Sequence, residues 1–395
     1  MKRLGFGSGL ESGLIDQNWR LRLLLLVCVS VSLIGAGPSF AQDRLTVFTA
    51  ADLRVSPEPG GHGIGAVHYQ RDVQTGQLNL VFNTDTLYAS LYGLTLRPGL
   101  RVSAFLKGEA LFAGLLFDHF RGGLLDESRG FFASFVQGGG SVHLDLFPHF
   151  FELELSGRRW FFSDAPDTAD DMVLPTNFSA LEPRLRYTLW SLENDRSIGE
   201  MHRHTWRTLG WAFGLEAGVE LRDRASDWGH TAGTDPRNRG TKIPFVFRGW
   251  FRAGFEIDHG LRLQTLNFFG AGRGEDDLTR ARVGGMNPYV APIVGLPWAA
   301  YLPDTFFTHR SSLHVRLAGE HEVGPLVDLA LMPRSDALRL GEGDDLVAIA
   351  GVGLFFDGRA GPWQYDLQVG YALPTEVLDA ELNLTAFLNL GYRFF

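Results

Sequence analysis

The last fifteen residues of the chain, Glu381–Phe395, read ELNLTAFLNLGYRFF. Every second side chain is apolar: Leu382, Leu384, Ala386, Leu388, Leu390, Tyr392 and Phe394. Most of the side chains between them are polar, which is the period of two of a β-strand with one apolar and one polar face. The segment is much longer than the roughly five or six residues that are usual for strands in soluble sheets.

The same alternation recurs along the chain, whereas helical periodicity is nearly absent. It is clear in LGWAFGLEAGVELRD (209–223), FVFRGWFRAGFEID (245–258) and WQYDLQVGY (363–371). Because neighbouring segments can merge, the pattern predicts roughly fourteen to sixteen strands. The predicted segments cover 62–72, 76–84, 86–96, 99–107, 110–118, 128–138, 140–147, 149–163, 178–192, 209–223, 244–258, 260–270, 309–321, 323–332, 345–357, 361–373 and 381–395.

The N-terminal residues predict an export signal. Two arginines precede an apolar run over 23–36, and small residues follow at Ser39 and Ala41. A basic flank, a short apolar core and a small-residue cleavage site are typical of a secretory signal peptide. We therefore expect three parts: a signal peptide at 1–41, a short periplasmic segment at 42–61 and one barrel domain at 62–395.

Composition and patterning together narrow the class of protein. The formal net charge of -9 argues against nucleic acid as a partner, and the single cysteine, Cys28, lies within the predicted signal peptide. Strands with an apolar outer face suit lipid, and a sheet in lipid must close because an open edge leaves backbone groups unpaired. The sequence therefore predicts a transmembrane antiparallel β-barrel of about 16 strands. It would lie in the outer membrane of a Gram-negative-type bacterium, in contact with outer-membrane lipid.

The longest predicted connection runs from about residue 271 to residue 308. It contains Arg280, Arg282 and the pair Gly284–Gly285, and prolines follow at 288, 292, 297 and 303. A connection of this length without secondary structure of its own is usually functional. It also contains Glu275, Asp276 and Asp277, which are either a calcium-binding cluster or a solvated acidic turn.

Two stretches after this connection carry a family resemblance. They are PLVDLAL (325–331), which contains Asp328, and GVGLFFDGRAGPWQYDLQVGYAL (351–373), which contains Gly351, Gly353 and Asp366. The stretches resemble the C-terminal barrel region of the bacterial surface-antigen superfamily. That superfamily includes outer-membrane barrel-assembly insertases and two-partner secretion translocases. The resemblance implies sixteen strands, a long sixth extracellular loop folded into the lumen, and a role in outer-membrane biogenesis or export.

The chain departs from the family pattern in two respects. The family's loop has an Arg-Gly-aromatic tip whose arginine reaches acidic groups of the wall, whereas the corresponding stretch here, GGMNPYVAPIVG (284–295), has no arginine. Arg280 or Arg282 is a candidate substitute, with Asp328 as the carboxylate partner in the lumen. The family's insertases also carry POTRA domains before the barrel. The short segment expected here implies a separate periplasmic partner protein in their place.

The C-terminal aromatics are candidates for a sorting signal. Outer-membrane barrels commonly end in an aromatic residue that the barrel-assembly machinery reads during biogenesis, and Tyr392, Phe394 and Phe395 occupy this position. Phe394 and Tyr392 lie on the apolar register, whereas Phe395 lies on the polar one. The chain therefore resembles the usual ending with one residue added.

Two other functions remain open from the sequence. A passive porin-like channel with an acidic interior would favour small cations. A rim enzyme would need a Ser/His site, for which Ser311, Ser312, His309 and His314 are the candidates, but no specific motif surrounds them. We therefore expect no enzymatic activity, and no catalytic, cofactor-binding or metal-binding residues.

Overall fold

The computed structural model describes residues 43–56, 60–73, 75–83, 86–109, 115–116, 120–121, 124–125, 127–190, 209–230, 240–285, 291–296, 300–333, 345–374 and 383–394. Within them, sixteen strands of 8 to 16 residues form one barrel wall. They are β1 (Asp43–Ser56), β2 (Gly60–Val73), β3 (Gly76–Asn83), β4 (Thr86–Arg97), β5 (Leu100–Glu109), β6 (Phe131–Leu146), β7 (His149–Asp164), β8 (Ser179–Trp190), β9 (Gly210–Val219), β10 (Phe245–Asp258), β11 (Leu261–Arg273), β12 (Thr305–Arg316), β13 (Glu322–Pro333), β14 (Leu346–Ala360), β15 (Trp363–Ala372) and β16 (Asn383–Arg393).

The barrel is closed, as the sequence predicts. Each strand pairs antiparallel with the next, and β16 pairs with β1 through a register that runs from Thr46 opposite Arg393 to Ser56 opposite Leu384. Connections that follow odd-numbered strands lie at one end of the barrel, which we call the loop end. Connections that follow even-numbered strands lie at the other end, the turn end. The long connection between β11 and β12 is the sixth at the loop end.

Alternate side chains of the strands face the lumen and the outside. In β13 the even-numbered residues from Glu322 to Met332 are buried, whereas Val327 on the other face is 49% exposed. Leu153 and Leu354 on the outer face are 58% and 62% exposed. A belt of exposed aliphatic and aromatic side chains is the outer surface of a barrel that spans a bilayer. No helix among the described residues is long and apolar enough to cross a membrane.

The structure corrects three strand predictions. Residues 42–61, interpreted as a segment before the barrel, contain β1, whose sequence DRLTVFTAADLRVS alternates at both ends but is interrupted at Phe48 and Thr49. The described part of the predicted strand 110–118, Leu115–Leu116, pairs with β6 on the edge that β5 occupies, so it lies in line with β5 and adds no separate strand. Segments 128–138 and 140–147 are one strand, β6, because its central glycines pack against β7. A Cβ on Gly139 would lie 2.5 Å from the Leu155 carbonyl oxygen.

Short elements cover the loop end of the lumen on the β6–β9 side. Met172–Val173 pairs with Gly229–His230, and Leu221–Arg222 continues the line of β9 along β8. A 3₁₀ turn, Glu127–Arg129, leads into β6. Beneath them lies an aromatic-rich cluster that includes two residues of the long connection: Phe131, Phe135, Trp160, Phe178, Trp228, Leu278 and Leu302.

Candidate functional site

The described residues of the connection between β11 and β12 (274–285, 291–296 and 300–304) pack inside the barrel. We call residues 274–304 the lumen loop. Its backbone is organised around Val283, which exchanges two hydrogen bonds with Tyr301 (2.9 and 3.0 Å). Gly284 and Gly285 then adopt φ angles of +120° and +79°, which glycine tolerates and which turn the chain back toward Ala291. The long lumen-directed loop that the sequence predicts is therefore confirmed.

Apolar packing holds the lumen loop against the wall from β12 to β15. The loop contributes Ala281, Val283, Ala291, Ile293, Leu296, Ala300 and Tyr301 to a buried cluster. The wall contributes Phe306, Ala330, Met332, Ile349 and Ala372. These wall residues lie on the lumen faces of their strands, so this side of the lumen is a packed core and not a water-filled channel.

The loop tip, Ile293–Gly295, fits closely against the wall. The Val294 amide donates to Oδ2 of Asp328 (2.7 Å), and the Gly295 amide donates to Oγ1 of Thr385 (3.1 Å). These bonds tie the tip to β13 and β16 and satisfy two backbone donors that burial would otherwise leave without partners. Gly295 has a φ of +89°, and a Cβ there would lie 1.9 Å from the Ala372 amide nitrogen.

Three glycines of the wall make room for the tip. A Cβ on Gly351 would lie 2.3 Å from the Val294 carbonyl oxygen, and one on Gly370 would lie 1.8 Å from Val294 Cγ2. A Cβ on Gly353 would lie 3.1 Å from the same Cγ2, and 2.6 Å from the Val369 carbonyl oxygen. The Val294 side chain fills this glycine notch and packs with Leu326, Phe355 and Phe387. The predicted site residues Gly351 and Gly353 therefore line the docking site, together with Gly370, which sequence reasoning missed.

An arginine of the wall, and not of the lumen loop, pairs with Asp328. Arg310 on β12 donates to both carboxylate oxygens of Asp328 (2.7 and 2.6 Å), and the two residues are directly opposite in the β12–β13 register. Both side chains are almost completely buried. The expectation that Arg280 or Arg282 would bind Asp328 is therefore wrong, because Arg310 already occupies both oxygens with the bidentate geometry that suits carboxylates.

The predicted arginines have other partners. Arg280 forms ion pairs with Asp277 (2.8 Å) and Asp304 (2.6 Å), all within the lumen loop. Burial lowers the pKa of Arg280, but these two carboxylates outweigh burial and raise it above its ordinary value. Arg282 lies near Glu109, Arg248 and Asp277, and burial lowers the pKa of its guanidinium.

A second ion pair anchors the lumen loop, with the two charges exchanged relative to the family pattern of a loop arginine and a wall carboxylate. The lumen loop supplies the carboxylate, Asp276, and the wall supplies Arg222, which donates to it at 2.6 and 3.1 Å. Glu220 accepts from the same guanidinium at 2.5 Å. Asp276 and Asp277 are 1% and 2% exposed. They form neither a solvated acidic turn nor a calcium cluster, because arginines hold both carboxylates.

A cavity of about 410 Å³ remains on the other side of the lumen, between the lumen loop and the wall from β5 to β11. Its lining is rich in charge and includes Glu109, Arg158, Glu182, Arg184, Glu216, Arg248 and Arg282. Glu182 bridges Arg158 (3.0 Å) and Arg184 (2.9 Å), and Glu216 bridges Arg184 (3.1 Å) and Arg186 (2.7 Å). These networks fix the arginines of the wall, so the cavity is a polar chamber with rigid walls.

Glu275, at the start of the lumen loop, is expected to make the stability of the folded barrel depend on pH. Burial raises the pKa of Glu275 to about 8, and Arg248, 3.5 Å away, offsets part of that effect. Between its ordinary value of 4.5 and about 8, the folded state keeps a proton that the unfolded state has released. This contribution to stability is complete below pH 4.5, declines as the pH rises toward 8, and is absent at higher pH.

As the pH rises from 5 to 9, we expect the thermal unfolding midpoint of the wild-type barrel to decrease relative to that of Glu275→Gln. The glutamine variant removes the titrating group, so it gains relative stability at pH 9, by an amount on the order of a few kcal/mol. Glu256→Gln, an exposed carboxylate at the turn end, is the matched control and is expected to change neither curve. Parallel wild-type and Glu275→Gln curves from pH 5 to pH 9 would contradict this expectation.

The remaining predicted residues lie elsewhere. Asp366 is buried on the lumen face of β15 and accepts from Gln368 (3.2 Å). Tyr392 and Phe394 are in edge-to-face contact at the turn end, with ring centroids 4.7 Å apart. Phe395 and the predicted signal peptide lie outside the described residues.

The serine and histidine candidates of β12 do not form a single rim site. His309 hydrogen-bonds Ser311 (2.8 Å) and Ser312 hydrogen-bonds His314 (2.9 Å). Alternation along the strand places the first pair on the outer face and the second in the lumen. Both pairs lie within the strand and away from the loop end, because β12 begins at Thr305 and not at 309 as the sequence pattern predicts.

Solved structures share the architecture at low sequence identity. BamA from Haemophilus ducreyi lacking POTRA domains 1–3 matches with a TM-score of 0.59 and 12% identity, over 89% of this chain and 70% of that chain. CdiB from Escherichia coli matches with a TM-score of 0.56 and 11% identity, over 88% and 63%. CdiB from Acinetobacter baumannii matches with a TM-score of 0.52 and 8% identity, over 89% and 60%.

The chain has the fold of these barrels. The resemblance predicted from short motifs after the long connection is thereby confirmed at the level of fold. No protein-family model and no curated protein matches the sequence. The chain spans less than two thirds of the length of the two CdiB proteins, so likeness of fold does not extend to their whole-protein activities.

Proposed function

We propose that this chain is an outer-membrane β-barrel that acts in outer-membrane biogenesis or in the export of polypeptides, with the lumen loop as its internal plug. The observation that carries the proposal is the docking of the loop tip. Val294 and Gly295 are hydrogen-bonded to Asp328 and Thr385, and the Val294 side chain fills a notch of three glycines. Because the notch fits the Val294 side chain, it holds the loop tip in one defined position. A passive channel does not need such a position.

The fold and the outer surface support the membrane location. The barrel matches BamA and CdiB, and its outer face is a belt of exposed apolar side chains. The proposed location is the outer membrane of a Gram-negative-type bacterium, with lipid around the belt. Its partners would be the barrel-assembly machinery during its own insertion, guided by Tyr392, Phe394 and Phe395, and a periplasmic protein during its work. We propose no enzymatic activity.

A passive porin for small solutes is the second candidate, and the charged cavity favours it. That cavity is about 410 Å³, and its lining carries fixed charges of both signs. Charged rings along a lumen are typical of channels that select ions. The packed apolar side of the lumen argues against this candidate, because the lumen loop occupies the space that an open pore requires.

Removal of the lumen loop separates the two candidates. The Gly272 amide donates to the Asp304 carbonyl (2.8 Å), so the ends of β11 and β12 adjoin and a short Gly/Ser turn replaces residues 276–303 without moving the strands. In planar bilayers we expect small or absent current from the wild type and a large, steady conductance from the deletion variant. Deletion of 335–343, between β13 and β14, is the control and is expected to leave the current small.

The same proteins in liposomes test the role in biogenesis. We expect wild-type proteoliposomes, with periplasmic extract present, to accelerate insertion of an unfolded outer-membrane barrel over empty liposomes, and the deletion variant to lose that acceleration. A large wild-type conductance that the deletion does not change would make the porin the better proposal. A plugged barrel that accelerates neither insertion nor export would reject the role in biogenesis while leaving the plug intact.

A further inference from the structure

Three carboxylates lie side by side on the lumen wall near the turn end. In the strand registers, Glu322 of β13 is directly opposite Asp357 of β14, and Asp357 is directly opposite Asp366 of β15. All three side chains are at least nine-tenths buried. Like charges directly opposite in an antiparallel sheet repel each other, and burial strengthens the repulsion because the local dielectric is low. Asp357 therefore has a carboxylate opposite it on each side, and this arrangement favours a cation nearby.

A histidine completes the cluster. Nδ1 of His314 on β12 lies 3.0 Å from Oε2 of Glu322, and its other ring nitrogen is 2.9 Å from Oγ of Ser312. The ligand-type atoms of His314, Glu322 and Asp357 all lie within 4.8 Å of one another. A small cavity of about 20 Å³, enough for one water-sized ion, adjoins the cluster. It is lined by Ser312, His314, Asp357, Asp366 and Gln368, and also by Arg310, Leu326 and Phe355.

From this geometry we propose that His314, Glu322 and Asp357 bind one divalent transition-metal cation in the lumen, with Asp366 facing it from β15. One imidazole nitrogen and two carboxylate oxygens form the donor set of Zn²⁺ and its neighbours in the first transition row, whereas Ca²⁺ prefers oxygen donors alone. Bound ligands around Zn²⁺ are about 3.3 Å apart. The three side chains must therefore close in by rotation around the ion, without movement of the strands.

Two arginines near the cluster have carboxylate partners. Arg262 on β11 forms an ion pair with Glu322 from the side of β12, and Arg310 gives both of its charged contacts to Asp328. Gln368 donates to both oxygens of Asp366 (3.2 Å each), which fixes the orientation of that carboxylate. A cation at His314 would also join the ends of β12, β13 and β14 beneath the lumen loop.

Metal titration of the full-length chain, without a histidine tag and purified from membranes in detergent, tests the site. After treatment with a chelator, we expect calorimetry with ZnCl₂ and elemental analysis to give one Zn²⁺ per chain with micromolar or tighter affinity. Asp357→Asn and His314→Gln are each expected to weaken binding at least about tenfold, since each removes one ligand. Asp258→Asn is the same chemical change at an exposed carboxylate at the turn end, and it is expected to bind Zn²⁺ like the wild type.

Unfolding without metal separates a ligand role from a structural role. Asp357→Asn relieves the repulsion in the row, so the metal-free variant is expected to melt no lower than the metal-free wild type, while added Zn²⁺ raises the midpoint of the wild type alone. Absence of Zn²⁺ binding, or binding that survives both ligand substitutions, would overturn the proposal. Stoichiometric Ca²⁺ binding with an affinity that His314→Gln does not change would overturn the assigned ligands and the class of ion. The test does not depend on the proposed role in biogenesis, because it measures neither conductance nor assembly.

Discussion

Gly295→Val is expected to release the loop tip and convert a closed barrel into one that conducts steadily. Valine at this position meets two obstacles. Its φ of +89° is strained for a side chain with a branched Cβ, and that Cβ would lie 1.9 Å from the Ala372 amide nitrogen. Overpacking of this kind costs about 1–3 kcal/mol, and each ~1.4 kcal/mol changes the ratio of docked to undocked tips about tenfold. Single-channel recording in planar bilayers measures the open fraction directly.

A matched substitution separates the clash from the backbone strain. Gly361 also has a positive φ, +60°, but a Cβ there has nothing within 4 Å. Gly361→Val therefore carries similar backbone strain at the turn end without touching the lumen loop, and its conductance is expected to equal that of the wild type. Gly370→Val approaches the same contact from the wall, where a Cβ would lie 1.8 Å from Val294 Cγ2. If the tip is the plug, both notch variants open the pore; opening by Gly361→Val as well would point to general loosening instead.

The strands of the wall can be predicted from the sequence because alternate residues face lipid and the polar lumen, and these two environments favour opposite residue types. β10 and β15 show this clearly, since their apolar residues face outward and their polar residues line the lumen. β1 is less clear because Phe48 and Thr49 interrupt its alternation, and backbone pairing with β2 and β16 establishes it as a strand. The glycines of β6 suggested a break, but they permit the close approach of β7.

The sequence predicts only part of the candidate site. Length alone points to the lumen loop, and Asp328, Gly351 and Gly353 follow from the family resemblance. The sequence does not identify Arg310 as the partner of Asp328. Alternation predicts which face of the strand Arg310 occupies, but it does not predict the register that places Arg310 opposite Asp328. The purpose of the glycines is hidden for a similar reason. The notch exists only when Val294, distant in the chain, reaches the wall.

Breaking the Arg310–Asp328 pair is expected to be strongly destabilising when one partner is removed and mild when both are. The pair is bidentate, with distances of 2.7 and 2.6 Å, and it is almost completely buried. Arg310→Met or Asp328→Met alone leaves an uncompensated buried charge, which costs about 3–5 kcal/mol. Replacing both by methionine leaves no charge behind, so the double variant is expected to regain most of that loss. Denaturant unfolding in lipid vesicles, in a double-mutant cycle, measures the coupling.

A second ion pair provides the control for this cycle. Arg101 and Asp145 have similar bidentate geometry, at 2.5 and 2.8 Å, but each side chain is about a quarter exposed. Solvent screens such a pair, so its coupling is expected to be about 1 kcal/mol or less. Coupling of equal size at the two pairs would show that burial does not set the strength of the Arg310–Asp328 interaction.

Conductance then separates the two roles of Asp328, which pairs with Arg310 and also accepts the Val294 amide at 2.7 Å. Arg310→Met leaves that acceptor in place, so the tip is expected to stay docked although the barrel is less stable. The double methionine variant restores stability but leaves the Val294 amide without an acceptor, at a cost of about 1–3 kcal/mol to the docked tip. Stability and closure of the pore are therefore expected to change in opposite directions. The double variant is expected to be more stable than Arg310→Met and to conduct more often. A double variant that is both stable and closed would show that the glycine notch alone holds the tip.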